Sequence, residues 1–223
     1  MEWRTSVGGK TLRVARRRGS VFDLPAQHLS VEGKIVAALD RLARALRVLL
    51  WERATAHGLS PIQIQFLVHL RHHPEQACRV SSLAREFGLT QPTASDAIGT
   101  LEAKGLLTRV GSRTDGRVVI LRLTPRGARV AGALSHWADV IAEAVRPLPP
   151  EDTVRAMRLL MHLIERLQHA GIITSARMCP TCRFFRPDVH PGTRTPHHCQ
   201  LLGEPLADRD LRVDCSEHAP ATA

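Results

Sequence analysis

From Val31 onward, apolar residues recur at spacings of three and four. Ile35, Leu39, Leu42, Leu46 and Leu49 share one face and Arg41, Arg44 and Arg47 lie away from it, the period of an amphipathic helix. Ser60-Pro61-Ile62-Gln63 opens a second helix, predicted to run to about Arg71. Ser60 caps it, Pro61 suits the first turn and Gln63 closes a capping box. Residues 80–104 predict two helices joined by a tight turn. Ser81 or Ser82 caps the first, which carries Leu83, Ala84 and Phe87 on one face, and Gly88 fits a left-handed stop. Thr90 caps the second, whose inward stripe is Ala94, Ile98 and Leu101 and whose end is Lys104-Gly105. So short a connection forces a steep crossing, as in a helix-turn-helix.

After Gly105 the period becomes two. Leu106 to Val110 and Val118 to Thr124 read as strands around a turn in which Asp115-Gly116 is the hairpin signal. A long helix is predicted from about Pro125 to Arg146. Pro147, Pro149 and Pro150 break it, and a last helix spans about 151–170 with Val154, Met157, Leu160, Ile164 and Leu167 on one face; Gly171 stops it. Beyond that the chain carries prolines, histidines and cysteines without a sustained period. Residues 1–20 show no periodicity and read as a flexible basic arm. The expected fold is mainly α with a small β wing. It comprises an N-terminal arm (1–30), a winged helix with dimerisation helices (31–171, with the helix-turn-helix and wing at 60–124) and a cysteine-rich extension (172–223).

Composition adds a partner class. The 223 residues are 43% hydrophobic and 23% charged, a globular balance. Arg or Glu interrupts every apolar run well before the roughly 20 residues a bilayer span needs. No apolar stretch follows the basic N-terminus. A cytoplasmic protein without a membrane span or secretory leader is expected. The formal net charge is +10. Arg4, Lys10, Arg13, Arg16, Arg17 and Arg18 face Glu2 alone in the first twenty residues, while six arginines and six acids balance after residue 171. Such a charge favours polyanions, nucleic acid above all; an Arg-rich composition, with Lys10, Lys34 and Lys104 as the lysines, accounts for it equally well.

Four stretches carry a family resemblance: Val80-Ser-Ser-Leu-Ala-Arg-Glu-Phe-Gly-Leu-Thr-Gln-Pro-Thr-Ala-Ser95, then Leu101-Glu-Ala-Lys-Gly-Leu-Leu107, then Thr114-Asp-Gly-Arg117 and Leu123-Thr-Pro-Arg-Gly127. Together they resemble winged-helix regulators of the MarR (multiple antibiotic resistance regulator) family over about residues 31–170. The resemblance implies a homodimer whose first and last helices interlock, with one recognition helix (90–104) and one wing (111–118) per subunit. It implies a transcriptional regulator, more often a repressor, reading a palindromic operator in double-stranded DNA. It also implies a small-molecule effector bound between the dimer helices and the winged helix, where His57, His69, His72, His73, His136 and Trp137 are candidate lining residues.

The side chains suit that role. With the apolar stripe turned inward, the start of the recognition helix presents Gln91, Thr93, Ser95 and Asp96. Glutamine pairs with adenine in the major groove, and Ser or Thr contacts a base edge or phosphate. Arg113 and Arg117 flank the wing tip, long enough for the minor groove. Asp96 departs from the family, which usually has a basic or neutral residue there, and an acid repels phosphate. Asp115 reads as a turn former. A winged helix that binds only protein is the alternative.

The cysteines form the second constellation. Cys179 and Cys182 make a CxxC pair; Cys199 follows after sixteen residues and Cys215 after fifteen more. Four thiolates complete a tetrahedral metal set, and about fifty residues with few large apolar groups need such a staple. Structural zinc binding contributes roughly 10–16 kcal/mol in small modules. The spacing leaves zinc, slightly favoured, or an iron–sulfur cluster, with His197, His198 or His218 able to replace one thiolate. The site is read as structural or sensory, since a change in it would act on the helix before it. Cys78 reads as a small buried side chain. No nucleophile–base or phosphate-cradling arrangement is present, so no enzyme is expected. A redox or metal-handling protein whose winged helix recruits a partner is the second reading.

Overall fold

A computed structural model describes all residues except 1–3, 8–9, 14–19, 21, 74–77, 112–118 and 222–223. The chain divides into two compact units. One is carried mainly by residues 12–143, and the other mainly by 144–223 with the short stretches 6–11 and 84–90.

Residues 24–123, most of them in the first unit, follow the predicted periods closely. Helix α1 (Leu24–His28) is followed by α2 (Val31–Ala56), capped by the Ser30 hydroxyl, which accepts from the Gly33 amide at 2.8 Å. Helix α3 (Pro61–His72) opens on the expected reciprocal box. The Gln63 amide donates to the Ser60 hydroxyl and the Ser60 amide to the Gln63 side chain. Helix α4 is Val80–Glu86, so Ser81 and Ser82 lie inside its first turn rather than before it. Gly88 has φ +63°, and α5 (Gln91–Ala103) begins directly after Thr90. Gly105, at φ +67°, turns the chain out of α5. Strands β3 (Leu107–Gly111) and β4 (Val119–Leu123) pair antiparallel, Leu107 opposite Leu123 and Gly111 opposite Val119.

The core of this unit is built from Ile64, Phe66 and Leu67 of α3, Ala94, Ile98 and Leu101 of α5, and Leu107 and Leu121 of the strands. Arg71 of α3 donates to the Ala128 carbonyl of α6 (Pro125–Leu134) at 3.0 Å. Cys78 is buried as expected, and its carbonyl accepts from the Leu121 amide at 2.8 Å, which extends the wing sheet by one backbone contact.

Two expectations are corrected here. Within the first thirty residues, Arg4–Val7 (β1) and Lys10–Arg13 (β2) form a two-stranded sheet and Leu24–His28 a helical turn. The single helix expected from Pro125 to Arg146 is two, α6 and α7 (Asp139–Val145), parted at 135–138. There the Ser135 hydroxyl bonds the Ala131 carbonyl and the His72 ring, and the His136 ring bonds Asp139 at 2.8 Å. Such local side-chain bonds compete with continuation of the helix.

The second unit opens on α8 (Pro150–His169), stopped at Gly171 (φ +76°). Its Met161 packs with Ala176 and Met178, joined by Met157, Ile164, Ile173 and Leu211. A three-stranded antiparallel sheet follows: β5 (Phe185–Arg186), β6 (His197–Cys199) and β7 (Glu204–Leu206).

Candidate nucleic-acid interface and four-cysteine pocket

At the start of α5, Gln91, Thr93 and Asp96 are exposed and Ser95 is half-buried, while Ala94, Ile98 and Leu101 are fully buried on the opposite side. The polar face is therefore fixed by the apolar one. The end of the helix is tethered: Glu102 pairs with Arg109 of β3 at 3.2 Å, Lys104 donates to the Gly58 carbonyl, and Arg126 donates to the Lys104 carbonyl at 3.2 Å. A helix held at its far end presents its first turn in a constant orientation, as base reading requires. Arg113 and Arg117 lie outside the described residues.

Several of the candidate effector residues meet at the end of α3, where His72 bonds Ser135, the neighbour of His136. His69 is buried and stacks on His73 with ring centroids 3.7 Å apart. Exposed His57 and His136 bond the Arg53 carbonyl and Asp139.

In the second unit all four clustered cysteines line one pocket. Three local devices bring them there. A one-turn 3₁₀-helix, Cys179–Thr181, folds the CxxC pair, and the Cys182 amide donates to the Cys179 carbonyl at 3.0 Å. Residues 177–179 lie alongside 212–215: the Cys179 amide donates to the Arg212 carbonyl (3.0 Å) and the Cys215 amide to the Arg177 carbonyl (2.9 Å), with the Arg177 guanidinium on Asp214 at 2.6 Å. The β5–β6 register sets Cys199 opposite Phe185. Phe184, Phe185, Leu201, Leu202 and Leu206 supply the rest of an apolar wall, with Arg212 and Glu217 at it.

Both nitrogen groups of Arg212 address sulfur. Its amide donates to Cys179 Sγ at 3.2 Å and its guanidinium to Cys215 Sγ at 3.6 Å. Burial pushes the Cys179 thiol above its ordinary range; the Arg212 amide opposes this, and the neighbouring Cys215, Cys182 and Cys199 add to it.

The histidines considered as substitutes for a thiolate are otherwise engaged. Buried His197 accepts from the Asp188 amide at Nδ1 (3.2 Å) and donates from Nε2 to Asp208 (3.0 Å), and Asp208 also pairs with Arg158 of α8 at 3.0 Å. His198 lies against His190 at 3.3 Å, and His218 lies on the Thr181 hydroxyl at 3.0 Å. Burial lowers the pKa of His218, against the Thr181 bond. Among the described residues no three His, Cys, Asp or Glu side chains are grouped as a single metal ion requires.

Residues 57–118 match the model of the MarR family. Over 60% of this chain and 98% of the other, the fold is similar to that of the transcriptional regulator PA3341 (24% identity, TM-score 0.54). Over 59% and 97% it is similar to that of Staphylococcus aureus MepR in a complex with DNA (20% identity, TM-score 0.52). The fold of the first unit is the winged helix. No helix among the described residues is long and apolar enough to cross a membrane.

Proposed function

We propose that this protein is a homodimeric transcriptional regulator that reads a palindromic operator in double-stranded DNA, acting as a repressor. The observation that carries the reading is the amphipathic split of α5: an entirely buried apolar stripe behind an exposed first turn of Gln91 and Thr93, with half-buried Ser95 beside them. Arg113 and Arg117 would add minor-groove contacts from the wing. The match of residues 57–118 to the MarR family and the DNA-bound MepR neighbour support it.

A second copy is supported by the apolar stripe of α2. Ile35, Leu39 and Leu42 are exposed within one chain, as are Leu159, Leu160 and Leu167 of α8. A single chain rarely leaves such stripes open. The C-terminal unit would act as a sensory or structural site. Selection of bound sequences from a random DNA pool tests the reading. The expected product is an inverted repeat with half-sites about one helical turn apart, and Gln91→Ala should relax preference at one position in each half. Recovery of no preferred sequence, together with capture of DNA that does not depend on Gln91, would contradict it.

A further inference from the structure

We infer that the C-terminal unit holds a cubane [4Fe–4S] cluster, with Cys179, Cys182, Cys199 and Cys215 as its ligands. This deepens the reading of that unit as a sensory or structural site and stands whether or not the chain binds DNA.

The geometry separates two candidates. A single zinc ion holds sulfur at about 2.3 Å, which brings four thiolates to about 3.8 Å from one another. The side chains here do not form such a group, and none of the cysteines is joined to another. Yet all four cysteines line the same cavity. Four cysteines that share a cavity without closing on one point suit a polynuclear core, whose corner irons hold the ligands further apart than one ion can.

The rest of the lining agrees. Phe184, Phe185 and Leu206 give the cavity an apolar lining, and the surroundings of a cluster are a main determinant of its behaviour. Two N–H groups of Arg212 are aimed at Cys179 and Cys215, the kind of bond that cluster thiolates accept. The cysteines are spread over three backbone segments anchored by the 177–179/212–215 pairing and by the β5–β6 register. A cluster would cross-link all three.

The test uses the full chain purified without oxygen, then treated with ferrous iron, sulfide and a thiol reductant. Iron, acid-labile sulfide and zinc are counted per chain, and the absorption spectrum is recorded. About four iron and four sulfide per chain in a brown protein is the expected result. Cys199→Ser should lose most of the iron, whereas Cys78→Ser should keep all of it. Because Cys199→Ser could fail to fold, the wild-type count decides alone. Two irons per chain, or one zinc that iron and sulfide do not displace, would overturn the cluster; retention of no metal would overturn the metal site altogether.

Discussion

A Cβ placed on Gly127 would lie 1.7 Å from the carbonyl oxygen of Leu106. The first turn of α6 thus rests directly on the backbone where the chain leaves the recognition helix and enters the wing. Bonds on both sides hold the approach: the Thr124 amide donates to Leu106 O at 3.1 Å, and the Thr124 hydroxyl caps the Gly127 amide at 3.0 Å.

Gly127→Ala is therefore expected to destabilise the winged helix by about 3 kcal/mol, the upper range for overpacking, because backbone rather than a side-chain tip must move. Gly99 in the middle of α5 has nothing within 4 Å of its would-be Cβ. Gly99→Ala should stabilise by roughly 0.5–1 kcal/mol through helix propensity. Urea denaturation of the two variants checks both signs.

A charge in the open stripes should separate the subunits. Leu42 is 53% exposed on α2 and Leu160 is 46% exposed on α8. The Leu42→Glu/Leu160→Glu double variant should run as a monomer in sedimentation, while the parent runs as a dimer. The far-ultraviolet circular dichroism of the first unit should be kept.

His197 is tied to α8 through Asp208, which holds both its Nε2 and Arg158. Asp208→Ala leaves a buried donor without its acceptor and is expected to cost about 1–3 kcal/mol. Asp208→Asn keeps an acceptor for the ring and should cost less. Limited proteolysis at the β6–β7 segment reports the difference.

Arg212→Ala removes the guanidinium on Cys215 but keeps the backbone N–H on Cys179. In the cluster-loaded protein the iron count should stay the same and the midpoint potential should become more negative, since a donor to a cluster thiolate favours the reduced form. Protein-film voltammetry on the two proteins reads the shift.

Much of the first unit was legible because its signals are local. Ser60 and Gln63 close their box within one turn, and Gly88 and Gly105 sit where only a left-handed residue ends the helix easily. The break after Leu134 was not legible, because it depends partly on His72, 63 residues away. The apolar stripe of α2 was visible, but its exposure was not, since periodicity shows that a face is apolar and not what covers it. In the tail the CxxC was plain. The pairing of residues 177–179 with 212–215, which brings Cys179 and Cys215 to one pocket, joins segments with no shared pattern. Arg212 lacked any sequence signal, because one of its two sulfur bonds comes from its backbone.

Affinity for the selected operator across a salt series tests the DNA-binding claim most directly. A protein that neutralises phosphates releases counterions, so the logarithm of its binding constant falls linearly with the logarithm of salt concentration, with a slope of about −0.9 per phosphate contacted. Arg117→Ala should reduce that slope by about one. Steep salt dependence, with weaker binding at every salt for Gln91→Ala, is the expected result. Affinity that is flat in salt and indifferent to Gln91 and Arg117 would contradict a DNA-reading function for this chain.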